Sequence, residues 1–499
     1  MAIPAEQAEV AAYLASLSGA TPLETHISAV FLGAETVWKL KKAVRLTFLD
    51  FSTLASRHHF VMREFALNTP AAPGLYQGVR AVIRRPDGQL ALDSAPPPHA
   101  NVLDWVLQMA RVPDGAFLDR IARSGQFTPA LADELGDAVA AYHRHLPPIT
   151  TTDPASALRQ VIASNEQAAL ATDLPPDRVR TWHTAAQALL LAIAHQLRER
   201  AAKGYIRRAH GDLHLGNLCR WRGRIVPFDA LEFDEDLATI DLGYDLAFLL
   251  MDLDQLVGRP AANRTMNRYI ARTGDVGLVR FLPLFLSSRA LIRAHVVARS
   301  SSATPALPYL DAAEAYLHPA KPILLAIGGL PGTGKSTLAR ALAPALGRAP
   351  GAVILRSDEI RKHLHGVAPE IRLPADAYTE AVSSRVFATL ATHARDIASA
   401  GHAIIADATF LDPAHRALIA DAARIAKIPF LGIWLTAPLP MLEARIGART
   451  ADASDATIDV LRATVARGAD GGDWTRIDTT DADAAMRLAR EIVTGTPGL

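Results

Sequence analysis

The segment Gly329-Leu-Pro-Gly-Thr-Gly-Lys-Ser336 constrains this chain more than any other feature. It fits the pattern G-x-x-x-x-G-K-[ST]. An apolar, strand-like run, Ile323–Gly328, precedes it and a helical pattern, Ser336–Ala345, follows. A glycine-rich turn between strand and helix lets backbone N–H groups converge on phosphate oxygens, and the helix N-terminus adds partial positive charge. The expected phosphate-binding residues are Gly329, Leu330, Pro331, Gly332, Thr333, Gly334, Lys335, Ser336 and Thr337. Lys335 is expected at the β- and γ-phosphates of ATP, and the Ser336 hydroxyl on Mg2+.

Around this turn, short apolar runs alternate with helical patterns. Strands are predicted at Ile323–Gly328, Ala352–Arg356, His402–Ala406, Phe430–Leu435 and Thr475–Asp478, with helical stretches at Ser336–Ala345, Ala377–Ser399 and Ala414–Ala426. That alternation predicts a parallel sheet flanked by helices. Asp358 falls just past the second strand, and Arg361 follows about one helical turn later. A carboxylate there can orient or deprotonate an acceptor hydroxyl, and an arginine can grip a phosphate or carboxylate on the substrate. Asp407 ends the third strand next to Thr409, a position suited to Mg2+ or its water. Arg416, on the next helix, is expected to face the acceptor. Arg445 and Arg449 are spaced i, i+4, so they are expected on one helix face as arginines delivered by a lid, with the polar run Thr450–Ala456 completing that lid.

Before residue 300 the pattern changes. Hairpin-like strands are predicted at His26–Leu32 and Thr36–Leu40, then Gly78–Arg84, and helical sequence dominates from about Pro129. The order suggests a small α+β lobe followed by a larger helical lobe. His210-Gly-Asp-Leu-His-Leu-Gly-Asn217 fits H-x-D-x-x-x-x-N, the spacing of a protein-kinase catalytic loop. The residues after Asn217 read as a tight hairpin turning at Arg222-Gly223 and ending at Asp229. Asp212 is then expected at the acceptor hydroxyl, with Asn217 and Asp229 holding Mg2+ on nucleotide phosphates. His210 is expected to pack under the loop.

Two resemblances follow. The segment from about 322 to the end resembles P-loop kinases of the family that includes the kinase domain of bacteriophage polynucleotide kinase, zeta toxins and gluconate-kinase-like enzymes. Its marks are Gly329–Ser336, Ser357-Asp-Glu-Ile-Arg361, Asp407-Ala-Thr409 and the Arg445/Arg449 pair. The catalytic stretch 205–250 resembles the aminoglycoside phosphotransferase family, which implies a protein-kinase-like bilobal fold over residues 1–300. In that resemblance Asp245, in Asp241-Leu-Gly-Tyr-Asp-Leu-Ala247, would brace the catalytic loop. No G-x-G-x-x-G run occurs in the first lobe. Lys39 is taken as the phosphate-contacting lysine and Glu64 as its ion-pair partner, with Lys41 and Lys42 competing for the same role.

A chain of 499 residues is too long for one core, since a domain holds roughly 100–200 residues. The Ser/Pro-rich stretch 301–321, containing a short helical run at Tyr309–Leu317, is expected to link residues 1–300 to residues 322–499. The formal net charge is +1, from 52 basic and 51 acidic residues. This balance argues against a polynucleotide acceptor, because such a site wants a basic groove. A single cysteine, Cys219, excludes an intrachain disulfide. The start of the chain lacks a signal-peptide pattern, and no apolar run reaches the roughly 20 residues of a membrane span. A cytoplasmic protein is expected, with no membrane partner.

The expectation is thus an ATP- and Mg2+-dependent phosphotransferase with two kinase-type modules, acting on hydroxyl groups of small molecules. Two alternatives stay open. The C-terminal module could phosphorylate the 5′-hydroxyl of a polynucleotide. The N-terminal module could be a non-catalytic ligand-binding regulator.

Overall fold

Period-2 apolar positions along Ser28–Leu32 and Thr36–Lys41 build the first sheet: Ala29 and Phe31 pair with Leu40 and Trp38 on one face, where Ala29, Phe31 and Leu40 have no exposure. The computed structural model describes residues 2–46, 49–150, 152–299, 305–448, 453–466, 468 and 470–495. These divide into two compact units, one of residues 1–127, 141–157 and 198–249, the other of residues 128–140, 158–197 and 250–499.

The first unit holds a six-stranded antiparallel sheet: β1 (Leu23–Glu24), β2 (Ser28–Leu32), β3 (Thr36–Lys41), β4 (Tyr76–Arg84), β5 (Leu90–Asp93) and β6 (Asn101–Ala110), in the order β1-β2-β3-β6-β4-β5. Helix α1 (Leu54–Asn68) packs on β6, and its N-terminus is capped by the Thr53 hydroxyl, which accepts from Ser56 N–H. Sequence patterning alone misses β6, although it is central in the sheet. Asp104 breaks its apolar run, yet Asp104 is fully buried because Arg57 Nε (2.9 Å) and Gln7 Nε2 (2.7 Å) satisfy its carboxylate. The predicted hairpin after Asn217 is present as β7 (Leu218–Trp221) and β8 (Arg224–Pro227), turning at Arg222-Gly223 with φ of 49° and 78°. Two left-handed residues in a two-residue turn match the right-handed twist of the strands.

The second unit holds the five-stranded, all-parallel sheet expected from the strand–helix alternation: β9 (Leu324–Gly329), β10 (Val353–Arg356), β11 (Ile404–Asp407), β12 (Phe430–Thr436) and β13 (Thr475–Asp478), ordered β10-β11-β9-β12-β13. The inner strands β9 and β11 are buried along their length and apolar up to the terminal Asp407, as parallel strands covered on both faces must be. Ile323, Leu325, Ile327, Ile405 and Ile433 pack there with Leu338 and Leu342 from the helix after the turn. The carboxyl ends of β9, β10 and β11 converge on one side, where ligands of open α/β sheets bind.

The remaining residues of this unit are mainly helical. Among them are α2 (Arg259–Thr273) and, in the stretch expected as a linker, α4 (Leu307–Leu317), which packs on α3 (Leu282–Arg299). No helix among the described residues is long and apolar enough to cross a membrane.

Candidate functional site

The turn from β9 into helix α5 (Lys335–Leu342) is shaped by what surrounds it. Gly332 has φ 88°, and a Cβ there would lie 2.9 Å from the Leu442 carbonyl oxygen, so only glycine fits. Thr333 is buried and donates through its hydroxyl to the Leu330 carbonyl at 2.8 Å. Lys335 Nζ donates to the carbonyls of Gly329 and Leu330, both at 2.9 Å. Residues Pro331–Thr337 wall a cleft of about 1150 Å³. Gly329 and Leu330 contribute their carbonyls behind that wall.

Three predicted residues, at or just past the ends of separate strands, meet in the same cleft. Ser336 Oγ lies 2.6 Å from Asp407 Oδ2. Asp358, second residue of helix α6 (Ser357–Leu364), lines the cleft with them. Burial pushes the Asp358 carboxyl above the usual carboxylate range. Arg356 opposes that rise and the nearby Asp407 charge adds to it. Two acids close enough to feel each other, beside a helix N-terminus, suit a site for concentrated charge.

Arg361 also lines the cleft but is buried, with 7% exposure. Its Nη1 donates to the Ala377 carbonyl at 2.7 Å, and its guanidinium lies over the Tyr378 ring, 4.8 Å from the centroid. Burial lowers its pKa, against the pull of Asp358. Arg445, in helix α7 (Leu439–Gly447), reaches the cleft as well. There Nη2 donates to the Thr479 carbonyl at 2.7 Å, and Nη1 to the Thr479 hydroxyl at 3.2 Å. Arg449 and residues 450–452 of the expected lid lie outside the described residues. Arg416 does not face this cleft: its Nη1 turns back to the carbonyls of Phe410 (2.7 Å) and Leu411 (3.1 Å), closing its own turn.

The cleft contains residues that sequence reasoning missed. Arg356 stands at the end of β10, with Nε 3.4 Å from Asp407 Oδ2 and Nη1 3.0 Å from Glu359 Oε1. A basic residue directly before Ser357-Asp358 was the available signal. Asp455 Oδ2 accepts from Lys362 Nζ at 2.6 Å, from Leu373 N–H at 3.0 Å and from the Tyr378 hydroxyl. Its neighbour Ser454 hydrogen-bonds Asp358. The polarity of 450–456 suggested a lid, but nothing local pairs Asp455 with a lysine 93 residues away.

The first unit assembles a second constellation. On β3, Lys39 and Lys41 point to the same side. Lys39 Nζ lies 2.7 Å from Glu64 Oε1 and 2.5 Å from Asp229 Oδ1, while Lys41 Nζ lies 2.7 Å from Glu64 Oε2 and also pairs with Glu232. Lys42 turns away to Glu24 at 2.7 Å. Burial works against the Lys39 ammonium, but Asp229, Glu64 and Glu232 outweigh it and hold its pKa well above the lysine range. Burial likewise opposes ionised Glu64, and the two lysines override it, to about 2.

Asn217 Nδ2 donates to Asp212 Oδ2 and to the Asp212 carbonyl, both at 3.0 Å. Phe228 N–H donates to the Asn217 carbonyl at 3.0 Å, so the hairpin brings Asp229 next to that pair. Asp229 adopts φ 62°, and its N–H donates to the Tyr76 hydroxyl at 2.9 Å. Asp245 accepts from the N–H groups of His210 (3.1 Å) and Gly211 (2.9 Å), bracing the loop that carries Asp212. His210 is buried beneath it, with Nε2 2.9 Å from the Phe228 carbonyl.

Neither constellation is a dedicated metal cage. Among the described residues no group of three or more His, Cys, Asp or Glu is arranged for a metal. A hydroxyl and one or two carboxylates suit Mg2+, a hard cation that keeps several waters and takes its other oxygens from phosphates. Ser336 with Asp407, and Asn217 with Asp229, fit that donor chemistry.

Residues 324–470 match the family model described as AAA domain. An uncharacterized protein of Mycobacterium tuberculosis H37Rv is 29% identical over 482 residues, spanning 91% of this chain and 91% of that one. One from Mycobacterium bovis gives the same figures. Among solved structures, a gluconokinase from Sinorhizobium meliloti is 19% identical, covers 35% of this chain and 98% of its own, and has a TM-score of 0.24. A choline/ethanolamine kinase family protein from Mesorhizobium loti is 14% identical, covers 62% and 93%, and has a TM-score of 0.37.

Proposed function

We propose that the chain is an ATP-dependent phosphotransferase whose P-loop cleft transfers a phosphoryl group to a hydroxyl of a small, anionic acceptor. One observation carries this reading: the Ser336–Asp407 pair and Asp358 open into a single cleft with Pro331–Thr337. Phosphoryl transfer asks a protein chiefly for positioning and neutralisation of charge. Backbone N–H groups at the start of α5 and Lys335 would hold the phosphates. Ser336 and Asp407 would hold Mg2+, which supplies charge neutralisation when bound. Asp358 would take or orient the acceptor hydroxyl proton. Its raised pKa brings it nearer the range of a general base. Arg361, beside Tyr378, would meet an anionic group of the acceptor, and Arg445 would approach the phosphates.

The first unit supports a second phosphotransfer module. The specific observation is Lys39 bridging Glu64 and Asp229, beside Asp212 tied to Asn217. Lys39 would contact nucleotide phosphates, Asn217 and Asp229 would hold Mg2+, and Asp212 would orient an acceptor hydroxyl.

The test is incubation of the full chain with ATP, Mg2+ and a metabolite extract, followed by a mass-spectrometric search for phosphorylated products. Wild type, Lys335→Ala and Asp212→Ala run in parallel. The two-module reading expects one product lost with each variant. A product set insensitive to Asp212→Ala would leave the first unit as a regulator. Phosphate appearing only on added 5′-hydroxyl oligonucleotides would move the acceptor to nucleic acid. A product set untouched by Lys335→Ala would overturn the P-loop assignment.

A further inference from the structure

Strand β10, which leads directly to Asp358, is the edge of the parallel sheet. An edge strand has outward N–H and C=O groups with no strand to pair with. Here two of those groups are met by one helix, Arg259–Thr273, which precedes the P-loop by about fifty residues. Asn267 Oδ1 accepts from Ile354 N–H at 2.7 Å, and Asn267 Nδ2 donates to the Ala352 carbonyl at 3.2 Å. Asn263 Nδ2 donates to the same carbonyl at 3.0 Å. One carboxamide therefore does for Ala352 and Ile354 what a peptide unit of a sixth strand would do. Asn263 is buried and Asn267 partly so, which limits the access of competing water to these bonds.

The approach is close enough to dictate a residue. Gly351 has φ 118°, and a Cβ on it would stand 2.8 Å from Asn263 Nδ2 and 2.4 Å from the Ala343 carbonyl oxygen.

The same helix grips the chain again beyond α6. Arg268 Nη2 lies 2.6 Å from Glu370 Oε1, and Arg272 Nη1 lies 2.7 Å from Glu370 Oε2. Asp137 holds both arginines from the other side, at 2.5 Å and 2.6 Å. Glu370 stands two residues before Arg372, which lines the cleft. The helix thus holds residues 352–354 before Asp358 and residue 370 after Arg361. It contributes no residue to the cleft wall.

We propose that Asn267, with Asn263 and the Arg268/Arg272 pair, is a positioning device for the acceptor side of the P-loop cleft. It sets the register of the segment 352–372 that carries Asp358, Arg361 and Arg372. This rests on the reading of the cleft as a phosphotransfer site.

The test uses the full-length chain with Asp212→Asn, which silences acceptor chemistry in the first unit. Backbone hydrogen exchange is followed with and without Mg-ADP, and Mg-ATP hydrolysis is measured with water in the acceptor's place. Asn267→Ala is expected to speed exchange across 352–372 at least tenfold and to slow hydrolysis at least tenfold. The Mg-ADP concentration that half-protects residues 329–337 should stay within twofold. Asn267→Asp keeps the acceptor for Ile354 N–H and loses the donor to Ala352, so it should fall between. Should Asn267→Ala prove poorly folded, Glu370→Gln, at a partly exposed carboxylate, should show the same split in milder form. Equal loosening of 329–337 and 352–372, or lost ADP protection in step with lost hydrolysis, would mean a general scaffold role and overturn the proposal. So would unchanged exchange at 352–372. If wild type shows no Mg-ADP protection of 329–337, the reading of the cleft itself fails, and the positioning role falls with it.

Discussion

Ser336 Oγ and Asp407 Oδ2 are 2.6 Å apart although 71 residues separate them in sequence. The sheet order explains the meeting: β11 lies directly beside β9, so the end of one strand faces the turn that follows the other. Asp407→Ala should weaken nucleotide binding at the P-loop only when Mg2+ is present. The expected loss is about tenfold or more, equivalent to about 1.4 kcal/mol. Protection of residues 329–337 from hydrogen exchange, titrated with ADP with and without Mg2+, reads this directly. Equal weakening with and without the metal would make Asp407 a structural partner of Ser336.

Asp358→Asn should lower turnover by about 10²–10⁴-fold while nucleotide affinity changes little. Its pKa also has a stability consequence. The folded-state pKa is raised by burial, above the unfolded value of about 3.9. Between those two values the folded state binds the extra proton, so this group's contribution to stability declines as pH rises through the window. The difference in melting temperature between Asp358→Asn and wild type should therefore move in the variant's favour as pH is raised from about 4 through that window. Curves that stay parallel would contradict a desolvated placement of this carboxyl in the cleft.

Lys41→Met should destabilise the first unit far more than an exposed lysine would. Lys41 is 1% exposed, and its loss leaves Glu232 buried without it and Glu64 with Lys39 alone. Breaking such a buried pair costs about 3–5 kcal/mol. Urea unfolding monitored through amides of β3 and α1 gives the number, and a change below about 1 kcal/mol would show that the carboxylates find other partners. Glu64 adds a pH signature. Its pKa is depressed to about 2, so its stabilisation is present above the unfolded carboxylate range and is lost as pH falls toward 2.

Mg-ATP should stabilise the first unit independently of the P-loop. In a Lys335→Ala chain, a hundredfold excess over Kd is worth about 2.7 kcal/mol. Asp229→Ala should erase the Mg2+-dependent part of that gain, and Asp212→Ala should keep it. A melting profile of the first unit that ignores millimolar Mg-ATP would favour a regulator that binds something else.

Much of the fold could be read from residues alone where the signal is local. The P-loop turn, the five parallel strands and the Arg222-Gly223 hairpin each lie within a few residues of their own cause: glycines, short apolar runs, a left-handed dipeptide. The expected Lys39–Glu64 pair is present, but Lys41 reaches Glu64 at the same distance, and the residues alone did not separate the two lysines. What escaped was long-range. β6 was hidden by Asp104, whose burial makes sense only once Arg57 and Gln7 are brought to it. Asp455 looks like a solvated lid residue until Lys362, Tyr378 and Leu373 N–H converge on it. Arg416 was misjudged for a related reason: its guanidinium finds carbonyls in its own turn, a choice set by backbone geometry. Asn263 and Asn267 carry no motif, and only the exposed edge of a distant sheet gives them a purpose.

That edge limits how this chain can be divided or recombined. Cut at the stretch before β9, the C-terminal segment would keep every residue of its cleft wall but lose the helix that covers Ala352 and Ile354. The uncovered strand would offer its backbone to any second copy it met, and self-association through β10 is the natural outcome. The segment is therefore not a portable cassette. A fusion or truncation meant to stay monomeric has to carry the helix Arg259–Thr273 with it, or replace Ile354 by a residue that discourages pairing.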